Sequence, residues 1–171
     1  MPHNSDAAQT TGRSLSHLDA AGKARMVDVS GKDTTVRTAT ASAVVTLSPE
    51  VFRLVADGKL PKGDVGAVAR IAGIQAAKRT AELIPMCHPI GLDAVEVDVT
   101  LVSPNTVRIT AVARVAAKTG VEMEALTAVG VAALTVYDMC KSADKGITIG
   151  PIRLEAKTGG KSGNYRRDGD A

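Results

Sequence analysis

The segment IPMCHPIG, Ile84 to Gly91, sets His88 between Pro85 and Pro89. Proline fixes the backbone on both sides, so the imidazole is either presented for function in a rigid turn or left exposed where a helix stops. Cys87 beside it is a nucleophile by type, although most lone cysteines in apolar settings are inert packing groups. In KTGVEMEALTAVGVAALTVYDMCK, Lys118 to Lys141, Glu122 and Glu124 fall in the first turn of a helix, where the dipole favours carboxylates. Asp138 and Lys141 are three apart near its other end and share a face. Such a pair is a surface ion pair or an acid–base couple. The interior of the helix is small and aliphatic, which buries several of its sides. A buried helix with charges at both ends favours the functional reading.

Lys62-Gly63-Asp64 puts an amine just before a helix N-terminus, where backbone N–H groups attract anions; the amine could equally be solvated. Gly159-Gly160-Lys161-Ser162-Gly163 imitates part of a phosphate loop. The full motif needs glycine where Glu155 stands and a helix afterwards, whereas a polar tail follows. That excludes a Walker-type ATPase and leaves a bare anion-binding Gly–Lys loop. Paired carboxylates in a glycosidase-like context, Gly-x-Ser-x-Gly and a metal-spaced histidine cluster are all missing from the sequence.

The elements that must position these groups follow from periodicity. Ala39 to Leu47 is β-branched and alternates loosely, which predicts a strand. Ser48-Pro49-Glu50 starts a short helix ending near Gly58. Asp64 caps a longer helix to about Leu83, with Gly66, Ala69, Gly73 and Ala76 as a small-residue stripe for close packing. Leu92–Leu101 and Thr106–Val115 alternate around Ser103-Pro104-Asn105, a β-hairpin. A helix from about Val121 to Lys141 and a strand from Ile147 to Ala156 complete the order. Two helices on one face of an antiparallel four-stranded sheet close it economically, an α+β sandwich of ferredoxin-like type.

Aromatics are only 2% of the 171 residues, so the core must use Val, Ile, Leu and Ala. The same scarcity argues against base-stacking single-strand nucleic-acid binders. A net charge of +3 suits an anionic small molecule without demanding nucleic acid. Two distant cysteines fit a reducing compartment better than a disulfide framework. No apolar leader opens the chain, and no uninterrupted apolar run approaches the ~18 residues of a membrane span. The expectation is a cytoplasmic protein away from membranes. Residues 1–17 are polar and predict a disordered tail, 18–158 a single domain, and 159–171 a Gly/Lys-rich end, partly site-lining and then flexible.

MVDVSGKDTTVRTA from Met26, KGDVGAVARIAGIQAAKRTAELIPMCHPI from Lys62, the Lys118–Lys141 string and AKTGGKSG from Ala156 together resemble the cyclic pyranopterin monophosphate synthase family, molybdenum cofactor biosynthesis protein C. The likeness runs from about Ser16 to Gly163. MCHP, VEMEAL and YDMCK at these mutual spacings make it specific. Met86 stands where leucine is more usual and Ala117 where glycine is common, and neither touches the chemistry.

The resemblance implies a ferredoxin-like fold assembled as a hexamer, a trimer of dimers with shared active sites. It implies conversion of 3′,8-cyclo-7,8-dihydro-GTP, made by a radical S-adenosylmethionine GTP cyclase, into cyclic pyranopterin monophosphate, releasing pyrophosphate. It implies no cofactor, with Mg²⁺ admissible as a companion of the phosphates. Carried over by position, Asp138 is the acid/base group, with Lys141 and Lys62 beside it as catalytic residues. Met86, Cys87, His88, Met123 and Glu124 match substrate-binding segments, and Glu122, Lys78, Arg37 and Lys161 match further polar site positions. Two rivals remain: a non-catalytic pterin- or nucleotide-binding paralogue, and a scaffold whose small-residue helix only mediates assembly. Turnover excludes the first, and tight binding of a pterin triphosphate analogue excludes the second.

Overall fold

In Thr35–Thr46 (β1), Ala39, Ala41, Ala43 and Val45 alternate with polar or β-branched residues and bury one face completely. A computed structural model describes residues 22, 23 and 25–168, so the expected tail at 1–17 lies outside the described residues. After β1 come α1 (Pro49–Ala56), α2 (Val65–Lys78), α3 (Thr80–Leu83), β2 (Ala94–Val102), β3 (Thr106–Ala117), α4 (Glu122–Cys140), β4 (Thr148–Thr158) and β5 (Tyr165–Arg166). The strands form one antiparallel sheet in the order β2-β3-β1-β4-β5. The first four are the ferredoxin-like arrangement that the sequence predicts. The fifth strand, a two-residue addition at the β4 edge, lies in the Gly/Lys-rich end and has no periodic signal.

The helix starts follow the sequence. The Val51 N–H donates to Ser48 Oγ at 3.3 Å and the Ala67 N–H to Asp64 Oδ1 at 3.0 Å. The long second helix, however, breaks at Arg79 instead of running to Leu83. The cause is Thr80, whose buried hydroxyl donates to the Ala77 carbonyl at 3.0 Å and competes with the helix ladder.

The core lies between α2, α4 and the sheet and is built mainly from Val and Ala, with Ile109 fully buried and Leu47, Leu60, Met139 and Ile147 filling its margins. With so little bulk, close approach must supply the contacts. A Cβ on Gly73 would lie 2.9 Å from the Ala128 carbonyl oxygen, so α2 and α4 touch backbone to side there. Ala69 and Ala76 are buried on the same stripe. Gly66 is not part of it: it is half-exposed, and a Cβ there would meet only Asp64. By length and mean hydropathy (1.3) α4 could cross a bilayer, yet half of that window is buried inside the fold, as a core helix requires.

Candidate active site

Asp138, in the last turn of α4, sits between two amines. Lys141 Nζ is 2.6 Å from its Oδ1 and Lys62 Nζ is 2.8 Å from its Oδ2. Lys62 also donates to the Asp138 carbonyl oxygen at 2.8 Å. Lys62 comes from the turn before α2, so α2–α4 packing is what delivers it. The solvated and helix-terminus readings of Lys62 both give way to this pair. Hydrogen bonds from Lys141 and then Lys62 hold the Asp138 carboxyl down at about 2. The same contact with Asp138 pushes the Lys141 ammonium up. At neutral pH Asp138 is therefore a carboxylate, with the Lys141 ammonium on one oxygen and the Lys62 amine on the other. It is also open: the Asp138 side chain is 54% exposed.

The other end of α4 borders a cavity of about 530 Å³. Its walls hold Arg37, Met86, Cys87, His88, Glu122, Met123 and Glu124, seven of the residues selected by sequence. His88 is half-buried, with Nε2 2.7 Å from the Val27 carbonyl oxygen, so the reading as an exposed helix stop does not hold. Arg37 Nε donates to the Ala117 carbonyl at 3.0 Å, which fixes its guanidinium beside the cavity. Glu124 is only 4% exposed. Burial pushes its carboxyl up, its own backbone N–H counters part of that, and the Glu122 carboxylate adds to the rise. Burial, reinforced by Glu124, likewise pushes the Cys87 thiol up, which keeps it from being a ready nucleophile.

Lys78 and Lys161 line neighbouring cavities. Lys78 borders one of about 290 Å³ that also has His88 and Glu124 in its wall. Lys161 borders one of about 730 Å³ together with Lys32, Arg37 and Ser162. Sequence reasoning passed over Lys32, Lys118 and Lys157 and named Ser162 only within the Gly–Lys loop; all four line the main cavity. Lys157 pairs with Glu122 at 3.0 Å and donates to Ser162 Oγ at 2.8 Å. Glu122 and Lys157 are 35 positions apart in the chain, and only the packing of α4 beside β4 could have revealed the pair.

The predicted site residues thus fall into two groups at opposite ends of α4: an ammonium–carboxylate trio, and a cation-lined cavity with a buried carboxyl. The first can donate protons and stabilise negative charge, and the second can take an anionic, hydrogen-bonding ring compound. Among the described residues no cluster of three or more His, Cys, Asp or Glu could hold a metal ion. The MoaC family model matches residues 26–160, which takes in the trio and all of the main cavity's wall except Ser162. The chain belongs to the MoaC family. It is 58% identical over 153 residues to cyclic pyranopterin monophosphate synthase 1 of Mycobacterium bovis, covering 90% of each protein. Identity and coverage are the same for proteins of that name from two strains of Mycobacterium tuberculosis, CDC 1551 and H37Rv. Within this MoaC chain the matched region contains the Asp138 trio and all seven sequence-selected residues of the main cavity, with Lys161 one position beyond it.

Proposed function

We propose that this protein is a cyclic pyranopterin monophosphate synthase, a lyase of molybdenum cofactor biosynthesis. It takes 3′,8-cyclo-7,8-dihydro-GTP, rearranges the guanine-derived ring into a pterin, closes a cyclic monophosphate and expels pyrophosphate. The observation that carries this reading is Asp138 held between Lys62 and Lys141 within a MoaC chain.

The chemistry follows from the charge states. Asp138 stays ionised and holds Lys141 in its ammonium form, so Lys141 serves first as a proton donor, and Lys62 on the other carboxylate oxygen serves to stabilise charge on the departing pyrophosphate. A triphosphate carries about four negative charges, which the Lys32, Arg37, Lys118 and Lys157 lining can meet. Glu122 and Glu124 face the cavity as partners for ring N–H and amino groups. No cofactor enters this scheme, and Mg²⁺ would enter only as the counterion of the phosphates.

One compact substrate cannot reach both ends of α4 in a single chain, so the reading includes an isologous dimer with α4 antiparallel to its copy. The outer flank of α4 supports it, with Leu134 59% exposed, Met123 exposed, and Gly130 and Val131 half-exposed between them. Such a pairing sets the Asp138 end of one protomer against the Glu124 end of the other. Three such dimers give the hexamer, and a cytoplasmic location goes with the pathway. The test is mass detection of cyclic pyranopterin monophosphate after incubation with authentic substrate. Tight substrate binding without product would instead favour the non-catalytic paralogue.

A further inference from the structure

Glu155, the residue that breaks the phosphate-loop motif, is half-buried in β4. It accepts from the Ser42 hydroxyl of β1 and pairs with Arg153 at 2.8 Å. Its second oxygen faces Arg167 Nε at 3.8 Å. Arg167 is tied further: its backbone N–H donates to the Glu155 carbonyl at 2.7 Å and its Nε to the Leu154 carbonyl at 3.0 Å. These contacts lie just beyond β5, where Ala156 pairs with Arg166 and Lys157 with Tyr165. The loop they close is Gly159–Asn164.

Apart from these contacts the loop is held by a few hydrogen bonds, one of them from Lys157. Gly159 and Gly160 sit at φ +85° and +77°, and a Cβ on Gly160 would run into the Arg37 guanidinium, so the loop backbone lies against a residue of the site. The Gly163 N–H donates to the Gly160 carbonyl at 3.2 Å and the Gly159 N–H to Asn164 Oδ1 at 3.3 Å, and Lys157 reaches in from β4 to Ser162 Oγ at 2.8 Å. The loop presents Lys161 and Ser162 to the cavity shared with Lys32 and Arg37.

We propose that Glu155 and Arg167 are positioning residues, a clasp that closes the β4–β5 hairpin and so holds Lys161 and Ser162 where the phosphate groups of the substrate bind. This rests on the synthase reading for the identity of the substrate, but not for the anion. Neither residue lines the described cavities, so both act through the loop.

Charge separates the clasp from simple electrostatics. Arg167→Ala removes a positive charge and Glu155→Gln removes a negative one, so a long-range field effect on an anion would have opposite signs in the two variants. The clasp requires both to weaken binding. Glu155→Gln also retains a group that can accept from Ser42, which protects the sheet. The experiment measures pyrophosphate binding by calorimetry and KM and kcat with authentic substrate, on the full chain. Each variant is expected to bind pyrophosphate roughly threefold to fivefold more weakly, the scale of one partly exposed ion pair, with KM raised alike and kcat little changed. The double variant should be no worse than the single ones, and Arg167→Lys should recover part of the affinity. Amide exchange over Gly159–Asn164 should quicken in both variants while the rest of the sheet keeps its protection. Opposite-signed or absent effects on pyrophosphate affinity overturn the clasp. A wild-type protein that binds pyrophosphate but makes no product overturns the synthase reading instead, and leaves the clasp to be decided by the binding data.

Discussion

Glu124 and Asp138 stand on one unbroken helix, fourteen residues apart, which puts their backbones roughly 21 Å from each other along α4. Fourteen residues fall about 40° short of whole turns, so the two face similar directions from opposite ends. One is buried beside a cation-lined cavity, and the other is exposed between two lysines. This separation organises the chemistry and most of what can be tested.

Lys62→Ala and Lys141→Ala should each cost on the order of 10²–10⁴ in kcat while the fold survives. Both amines are about half exposed and lie at element ends, so neither supports the core. Steady-state kinetics beside a far-UV spectrum separates the two effects. Near-normal turnover in either variant removes that lysine from the mechanism.

Cys87→Ser and Cys140→Ser should leave turnover largely intact. Burial pushes both thiols up, and at Cys140 the Lys62 charge offsets only part of it, so neither supplies thiolate at neutral pH. Stoichiometric inactivation by a thiol reagent, with protection by substrate, contradicts this.

Glu124→Gln should change the pH dependence of stability. A carboxyl whose folded pKa is raised favours the folded state below its unfolded pKa and loses that contribution as pH rises through the folded value. Glutamine cannot ionise. The melting temperature of the variant relative to wild type should therefore climb from pH 4.5 towards pH 8. A flat or falling difference means that Glu124 is not strained by its burial.

The α2–α4 contact can be tested at two glycines. Gly73→Ala puts a methyl 2.9 Å from the Ala128 carbonyl oxygen and should cost about 1–3 kcal/mol in urea denaturation. Gly66→Ala meets only Asp64 Oδ1 at 3.4 Å and should be neutral or stabilising by up to about 1 kcal/mol, because alanine favours the helix. Equal effects at both sites would falsify the close-packing role of Gly73.

Periodicity and caps made the four main strands and the helix starts legible, because alternation and Ser/Asp capping act within a few residues. The break at Arg79 was not legible: it depends on a buried threonine hydroxyl competing with the helix ladder. Nor was β5, two residues long and paired only through Ala156 and Lys157. In the site, Asp138 and Lys141 announced themselves by their three-residue spacing. Lys157 did not, since its partner Glu122 comes from another element, and Lys62 could be matched to Asp138 only through resemblance to a family.

The most direct measurement mixes inactive Glu124→Ala and Asp138→Ala proteins under conditions that allow subunit exchange, with product followed by mass. In a mixed dimer one site collects both defects and the other is wholly intact. Activity should return towards half of the wild-type level per mixed dimer. If mass measurements verify the exchange and no product appears, the two ends of α4 do not meet across protomers, and a site shared between Glu124 and Asp138 is contradicted.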